Sequence, residues 1–180
     1  YVHSKGWRVF RAKEPAIRAK IAEAMKAACA NNKIGYDQTQ RNTLYNLAKK
    51  VHFDPAKVTT ACETDCSALV RVCCAYAGIT LKDFYTATQA NALKESGAFT
   101  ELTGDKYTKS SNYLMAGDIL VTKTKGHTVI VLSNGKLAGY TPVTESYQLG
   151  DRTLKDGAEG DDVKDLQNAL ISLGYDCGSW

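Results

Sequence analysis

The sequence predicts an α+β domain in which helices come first and sheet strands follow. Two observations predict it: apolar residues recur at helical spacing in the first half of the chain, and short β-branched runs replace them from residue 119 onward. The 180-residue chain is 44% hydrophobic and 23% charged, which is typical of globular proteins and not of disordered ones. We therefore expect one domain of ordinary size with a small carboxyl-terminal appendage.

The helical segments can be placed from their start signals and apolar faces. The first begins at Glu14-Pro15, because proline in a first turn lacks only an N–H that the helix leaves unpaired anyway. The segment from Cys66 to Ala77 carries a single charge and stops at Gly78, which is typical of a helix buried on most sides. A further helix is expected over residues 88–96. The apolar faces of the first two helices are Ile17, Ile21, Met25 and Cys29, and Leu44, Leu47, Ala48 and Val51.

The strands follow the helices. Residues 119–121 and 128–132 are rich in β-branched side chains and predict two strands of a small antiparallel sheet. The pair Asn134-Gly135 is a hairpin signal, so we expect it to join the second strand to a third at residues 137–140.

Composition argues against several functional classes. The net charge is +4, and no basic cluster with interleaved aromatic residues suggests nucleic-acid binding. The longest apolar runs, such as residues 129–132, are far shorter than the roughly 20 residues of a membrane-spanning helix, so no membrane insertion is expected. Residues 1–10 carry Lys5 and Arg8 without a following apolar run, so no signal peptide is expected there.

Six cysteines lack the regular spacing of a disulfide framework. We interpret Cys29, Cys73 and Cys74 as reduced core residues, because a free cysteine packs like a small apolar side chain. A disulfide between Cys62 and Cys66 stays open as an alternative. A zinc site that used these cysteines with His127 would lack a Cys-x-x-Cys pair, so no metal is expected.

Cys66 is the candidate nucleophile, because it occupies the first turn of the buried helix, directly after the potential capping residue Asp65. A thiol with its ordinary pKa is about 3% ionised at pH 7, and a helix dipole lowers that pKa by less than about one unit. The thiol therefore needs a base, and His127, next to a strand, is better placed than His3 or His52. The residues alone leave a Cys66–His127 pair and an unreactive core thiol equally open.

The motifs around these two residues resemble those of a known family. Asp65-Cys66-Ser67, then Gly117-Asp118, then Gly126-His127-Thr128 match in order and spacing the NlpC-type and CHAP cell-wall peptidases of the papain-like superfamily. The resemblance covers residues 30–145. It implies a papain-like α+β fold in which the catalytic cysteine opens a buried helix packed on a small antiparallel sheet. It also implies catalytic Cys66 and His127, a peptidoglycan substrate and no cofactor.

A third catalytic residue is less well defined by the resemblance. NlpC-type enzymes usually carry a polar residue about twelve positions after the histidine, and Gly139 stands there in this chain. Glu145, placed like the later acid of CHAP enzymes, is slightly favoured over Asn134, for which a role in the turn alone is an alternative. Such a residue would orient the imidazole.

Other residues are implied to bind substrate or the oxyanion. Tyr36 resembles the upstream tyrosine that points at the nucleophile in NlpC-type sites, although covering the core is an equally open role. Asp65 is implied to bind the amine of the stem peptide in addition to capping the helix. Ser67 is a further candidate, and Gln38 and Arg41 are weaker ones for contacting substrate carboxylates.

The chain changes character after Gly150. Leu166, Leu170 and Leu173 lie on one face of a predicted amphipathic helix with an aspartate cap. This segment resembles the start of the three-helix peptidoglycan-binding domain. We therefore predict a hydrolase domain at residues 1–148 and, at residues 149–180, a linker with the truncated first helix of a binding module.

Together the resemblances imply a peptidoglycan hydrolase of the phage endolysin or bacterial autolysin type, acting as a monomer at the bacterial cell wall. It would work outside the cell or after release from a phage-infected cell. An endopeptidase acting on the stem peptide is favoured. The alternatives are an N-acetylmuramoyl-L-alanine amidase, a catalytically inactive wall-binding protein and an acyl-transfer enzyme of the same fold.

Overall fold

The computed structural model describes residues 3–139, 150 and 152–175. The chain divides into two compact units, residues 1–140 and 141–180. The predicted domain boundary at residues 148–149 lies outside the described residues and stays a prediction. No helix in the described ranges combines the length and the apolar character that crossing a membrane requires.

The first unit contains five helices and six strands within its described residues. In chain order they are β1 (Trp7–Ala12), α1 (Pro15–Ala30), β2 (Ile34–Tyr36), α2 (Thr43–Ala48), β3 (Cys62–Thr64), α3 (Cys66–Tyr76), α4 (Gln89–Glu95), β4 (Phe99–Leu102), α5 (Asp105–Thr108), β5 (Ile119–Thr122) and β6 (Thr128–Ile130). Two short 3-10 turns, Lys49–Val51 and Pro55–Lys57, lie between α2 and β3.

Two sheets organise this unit. The larger one is antiparallel, with the strand order β4-β1-β5-β6, and β1 in its interior pairs Val9 with both Leu102 and Leu120. The smaller one is a parallel pair in which Tyr36 of β2 stands opposite Thr64 of β3. Because β3 leads directly into α3, this second pairing places Tyr36 beside the start of that helix.

Helices α1, α3 and α4 contribute to one core with the four-stranded sheet. That core unites Ile21 of α1, Cys73 of α3 and Leu93 of α4 with Phe10 and Ile119 of the sheet, all fully buried. A second cluster packs α2 against α3, and a third contains Trp7, Val9, Leu114 and Leu120. Helices packed on a small antiparallel sheet confirm the predicted α+β class.

The predicted helices are present, with one error in the predicted core. Leu44 and Ala48 of α2 are buried as expected, and so are Cys73 and Cys74. The interpretation of Cys29 as a core residue is wrong, because it lies exposed in the last turn of α1. Its sulfur lies 3.8 Å from that of Met25, one turn earlier.

The predicted hairpin at Asn134-Gly135 is also wrong, because the residues that follow, 136–139, form a turn and not a strand. Gly135 instead packs on the loop before β5: its N–H donates to the Leu114 carbonyl at 2.8 Å. A Cβ at Gly135 would lie 2.1 Å from the Ser111 carbonyl oxygen. A close approach of two backbone segments therefore explains the glycine.

Two residues of the motif before β5, Gly117 and Asp118, contact neighbouring elements of the fold. Gly117 has a φ of +89°, and a Cβ there would lie 2.1 Å from the Arg18 carbonyl oxygen. Asp118 is fully buried and accepts hydrogen bonds from Arg11 at 2.8 and 2.7 Å. The Met115 N–H is a third donor to the same carboxylate, at 2.8 Å. This buried ion pair ties the entry to β5 to strand β1.

The second unit contains one described helix, α6 (Asp161–Ser172). Its N-cap residue is Gly160, which has no side chain, so the predicted aspartate cap is wrong. The buried carboxylate of Asp162 instead pairs with Arg152 at 2.8 Å and accepts from the Val163 N–H at 3.0 Å. Leu173, at the end of the helix, is 73% exposed.

An ion-pair cluster on the sheet gives a pH-dependent stability. Glu101 of β4 accepts hydrogen bonds from Arg8 at 2.7 and 3.1 Å and lies 2.6 Å from the Lys94 ammonium. The Arg8 hydrogen bonds, reduced by partial burial and reinforced by Lys94, lower the pKa of Glu101 to about 2. A carboxylate with a pKa below its unfolded value stabilises the fold above pH 4.5, and this contribution is lost as pH falls towards 2.

We therefore expect Glu101→Gln to lower the free energy of unfolding by about 1 kcal/mol at pH 7, the upper end for a partly exposed pair. The difference from the unmutated protein should shrink as pH falls from 4.5 to 2. Urea unfolding across this pH range measures it. Glu95→Gln, an exposed change on α4, is the control. A difference that is independent of pH would contradict the assignment.

Candidate active site at the start of helix α3

The site is built around Cys66, the first residue of α3. Asp65 is the N-cap residue, and its Oδ1 accepts from the Ala68 N–H at 2.6 Å and from the Ser67 hydroxyl at 2.9 Å. This confirms the predicted capping role of Asp65. The Ser67 residue is only 1% exposed, so its hydroxyl serves the start of the helix.

Arg41 fixes the capping carboxylate from the other side. Its Nε donates to Asp65 Oδ2 at 2.7 Å, and its Nη1 donates to both carboxylate oxygens of Asp83 at 3.1 Å. Its Nη2 donates to the Ser67 hydroxyl at 3.1 Å and to the Phe84 carbonyl. Every nitrogen of the guanidinium is therefore engaged within the protein.

These contacts favour the ionised form of the Asp65 carboxylate. Burial raises the pKa of Asp65, but the hydrogen bonds from the Ala68 N–H and from Arg41 outweigh it and leave the pKa lowered. A charged carboxylate is the stronger hydrogen-bond acceptor. Cys66 is thus held in place by an ionised N-cap.

The thiol of Cys66 is half-buried. Burial raises its pKa, and the Asp65 carboxylate adds to this rise. Hydrogen bonding to the backbone N–H groups of Thr128 and Ser67 and to the Tyr36 hydroxyl acts in the opposite direction, but the pKa remains above its ordinary value. The site therefore contains groups that favour the thiolate and groups that oppose it.

The structure brings Cys66 next to the segment that carries His127. Gly126, which directly precedes His127, lines the same groove as Cys66, and Thr128, the first residue of β6, directly follows His127. The backbone of His127 is fixed by Thr122, which donates its N–H to the His127 carbonyl at 3.0 Å and accepts the His127 N–H on its hydroxyl at 3.0 Å. The imidazole is half-buried, and its catalytic role stays a prediction.

A buried glutamine supports the same strand. Gln89 of α4 is fully buried and donates from Nε2 to the Thr128 hydroxyl at 2.8 Å. That hydroxyl donates onward to the Leu120 carbonyl at 2.8 Å. Gln89 Oε1 is buried without a hydrogen-bond partner among the described residues. Gln89 was not predicted as a site residue, because a contact across 39 positions leaves no local signal in the sequence.

An open groove of about 300 Å³ leads to the thiol. The residues that line it come from the loop after β2, the start of α3, the segment before α4 and the loop between β5 and β6: Gln38, Arg41, Asp65, Cys66, Ser67, Tyr85, Thr86, Lys125 and Gly126. The first five of these residues were predicted as site residues from the sequence. Tyr85, Thr86 and Lys125 were not, because they belong to segments without a recognised motif.

The two candidates for the third catalytic residue have different outcomes. The Asn134 side-chain oxygen accepts from the Ala116 N–H at 2.9 Å, so Asn134 helps to hold the loop before β5. Glu145 lies outside the described residues. Gly139, at the position where NlpC-type enzymes carry a polar residue, has a φ of +80° within a turn.

The other cysteines are free thiols wherever the structure describes them. Cys62 is buried in β3 and lies close to the Lys33 carbonyl, and neither Cys62 nor Cys66 is in a disulfide. Within the described ranges, no group of three or more His, Cys, Asp or Glu side chains could hold a metal ion.

Replacing the hydroxyl that reaches Cys66 should change the reactivity of its thiol. Because the Tyr36 hydroxyl favours the thiolate, we expect Tyr36→Phe to raise the Cys66 pKa by about half a unit, the order expected for one lost hydrogen bond. The pH dependence of Cys66 alkylation by iodoacetamide, read from the mass of the labelled peptide, measures this pKa.

Tyr85→Phe is the matched control, since it removes a hydroxyl from the same groove. Tyr36 is 63% exposed, so the unfolding temperature should stay unchanged. An equal pKa shift in both variants would show that the Tyr36 hydroxyl does not act on the thiol.

Comparison with known proteins assigns most of the chain to one family. The family model described as the endolysin-like domain matches residues 1–138, which include all described parts of the groove. No curated protein and no solved structure matches the chain. The family match supports a cell-wall lytic enzyme with peptidoglycan as its substrate. By the extent of this match, the chain belongs to the endolysin-like domain family.

Proposed function

We propose that this chain is a cysteine peptidoglycan hydrolase with a papain-like active site of the NlpC and CHAP kind, cleaving an amide bond of the stem peptide. One observation carries the proposal. The thiol of Cys66 lies at the capped start of α3, in an open groove that is also lined by Gly126, the residue before His127. Family membership supports the cell-wall substrate, and this geometry supports the cysteine chemistry.

The first step is acylation of Cys66. Because burial raises the thiol pKa, the thiol needs a base, and His127 accepts its proton. The sulfur then attacks the carbonyl carbon of the scissile amide, and the electron pair of the C=O bond moves to oxygen. The N–H of Cys66, in the helix turn whose N–H groups have no intrahelical partner, donates to this oxyanion together with the Tyr36 hydroxyl.

The second step releases the products. The imidazolium of His127 donates its proton to the leaving amine as the C–N bond breaks, which leaves a thioester on Cys66. A water molecule, deprotonated by His127, attacks the thioester carbonyl. The C–S bond breaks, the peptide leaves as a carboxylic acid and the thiol is regenerated. Each atom that moves belongs to the protein, the peptide or water, so the cycle needs no cofactor.

The supporting residues of the site divide into two groups in this proposal. Asp65 and Ser67 hold the helix start, while Gln38, exposed in the groove, contacts the substrate. Glu145, outside the described residues, stays the favoured prediction for the residue that orients His127, and Asn134, whose side-chain oxygen accepts from the Ala116 N–H, stays the second candidate. The Asp65 carboxylate already accepts hydrogen bonds from three donors of the protein. The amine of the stem peptide would therefore bind only to the part of the carboxylate that these donors leave accessible.

An endopeptidase is favoured, and an N-acetylmuramoyl-L-alanine amidase is the alternative with the same chemistry. Helix α6 is, in this proposal, the first helix of a peptidoglycan-binding module, with Leu166 and Leu170 half-buried on its apolar face. The enzyme acts at the cell wall as a monomer, outside the cell or after release from a phage-infected cell.

The proposal is tested by digestion of purified peptidoglycan under reducing conditions. We expect Cys66→Ala and His127→Ala to lower the release of soluble fragments by about a thousandfold or more, as for other covalent catalysts that lose nucleophile or base. Mass spectrometry of the fragments measures the release. The new termini identify the bond and separate endopeptidase from amidase activity.

Cys29→Ala and His52→Ala are the matched controls, since they remove another exposed thiol and another histidine. Iodoacetamide should abolish the release, and a chelator should leave it intact. If the unmutated protein releases no fragments from walls of several chemotypes, it is a wall-binding protein and not a hydrolase. If it forms amine adducts of the peptide, it is an acyl-transfer enzyme.

A further inference from the structure

One wall of the groove is formed by two loops that hold each other. We call it the rim and define it as Tyr85, Thr86, Lys125 and Gly126. The Gly126 N–H donates to the Thr86 hydroxyl at 3.2 Å, and the Lys125 ammonium lies 5.9 Å from the centre of the Tyr85 ring. The Lys5 ammonium also donates to the Lys125 carbonyl, at 2.6 Å. The rim is therefore a connected surface with a fixed backbone.

The charged side chains along the groove differ in whether they have a partner of opposite charge. The guanidinium of Arg41 is occupied by Asp65, Asp83 and backbone or hydroxyl oxygens. The Asp65 carboxylate is neutralised by that same guanidinium. Lys125 is exposed, and within the described part of the chain its ammonium has an aromatic neighbour but no acidic one within ion-pair distance. Among the described residues that line the groove, Lys125 thus carries a positive charge without an acidic partner.

The chemistry of the rim selects a ligand. An ammonium attracts a carboxylate, and the Tyr85 ring, 51% exposed, offers an apolar face to the carbon atoms beside it. A stem peptide carries free carboxylates on its D-glutamyl residue and at its end, and in some walls these are amidated. An amide has no negative charge, so it loses the attraction to Lys125 while keeping its shape.

We propose that Lys125 and Tyr85 form a subsite that binds a free carboxylate of the stem peptide and disfavours the amidated form. This inference rests on the proposed function, because it assigns a substrate to the groove of Cys66. Lys125 is a specificity-determining residue here and takes no part in bond breaking.

Binding to a variant that cannot turn over tests the subsite separately from cleavage. Cys66→Ala protein is titrated by calorimetry with three synthetic stem peptides: the free acid, the form amidated at the D-glutamyl carboxylate and the form amidated at its end. We expect one of the two amidated peptides to bind about fivefold more weakly than the free acid, the order of a partly exposed charge pair. Adding Lys125→Gln should remove this difference by weakening the binding of the two peptides that keep the recognised carboxylate and leaving that of the third unchanged.

Lys123→Gln is the matched control, because Lys123 is exposed in the same loop but does not line the groove. Tyr85→Ala should weaken all three peptides, since it removes the apolar face. Equal binding of the three peptides to Cys66→Ala protein, or a preference that persists after Lys125→Gln, would overturn the subsite. Neither result depends on cleavage, whereas an unmutated protein that releases no wall fragments would overturn the proposed function instead.

Discussion

Three donors converge on the carboxylate of Asp65: the Ala68 N–H, the Ser67 hydroxyl and the Arg41 guanidinium. An N-cap of this kind stabilises a helix by about 1 kcal/mol, but its larger effect here is positional. Because Cys66 directly follows the N-cap residue, the hydrogen bonds of the Asp65 carboxylate fix the position of Cys66 at the helix start. The same Arg41 reaches Asp83 and the Phe84 carbonyl, so the segment that leads to Tyr85 is fixed relative to the thiol as well.

This arrangement has an electrostatic cost for the proposed nucleophile. A carboxylate next to the thiol raises the thiol pKa, as burial does, and so opposes the ionisation that the proposed reaction needs. Removing the carboxylate would leave N–H groups of the first turn without an acceptor, since these groups have no partner within the helix. The opposing donors come from distant segments, Tyr36 of β2 and Thr128 of β6. The position of the Cys66 thiol is thus determined by the N-cap next to it, while its pKa also depends on residues that the tertiary fold brings from distant segments.

The parts of the fold that were predicted from sequence are those with local signals. Helix α3 has an aspartate before it, one charge within it and a glycine after it, and all three lie within a short stretch. Strands β1 and β4 were missed: β1 carries Arg8 and Arg11, whose charges are satisfied by Glu101 and Asp118 far along the chain. The Asn134-Gly135 signal failed because a glycine serves a close backbone approach as well as a tight turn.

The same distinction applies to the site. Cys66, Asp65 and Tyr36 were found through motifs, whereas Gln89, Thr86 and Lys125 reach the site only through contacts between distant segments. The rim also differs from the thiol in its setting, since Tyr85 and Lys125 lie in loops and Cys66 begins a helix anchored in the core. Substitutions at exposed loop positions cost little stability. In the proposed enzyme, substitutions at the rim can therefore change substrate preference without disturbing the helix that positions Cys66.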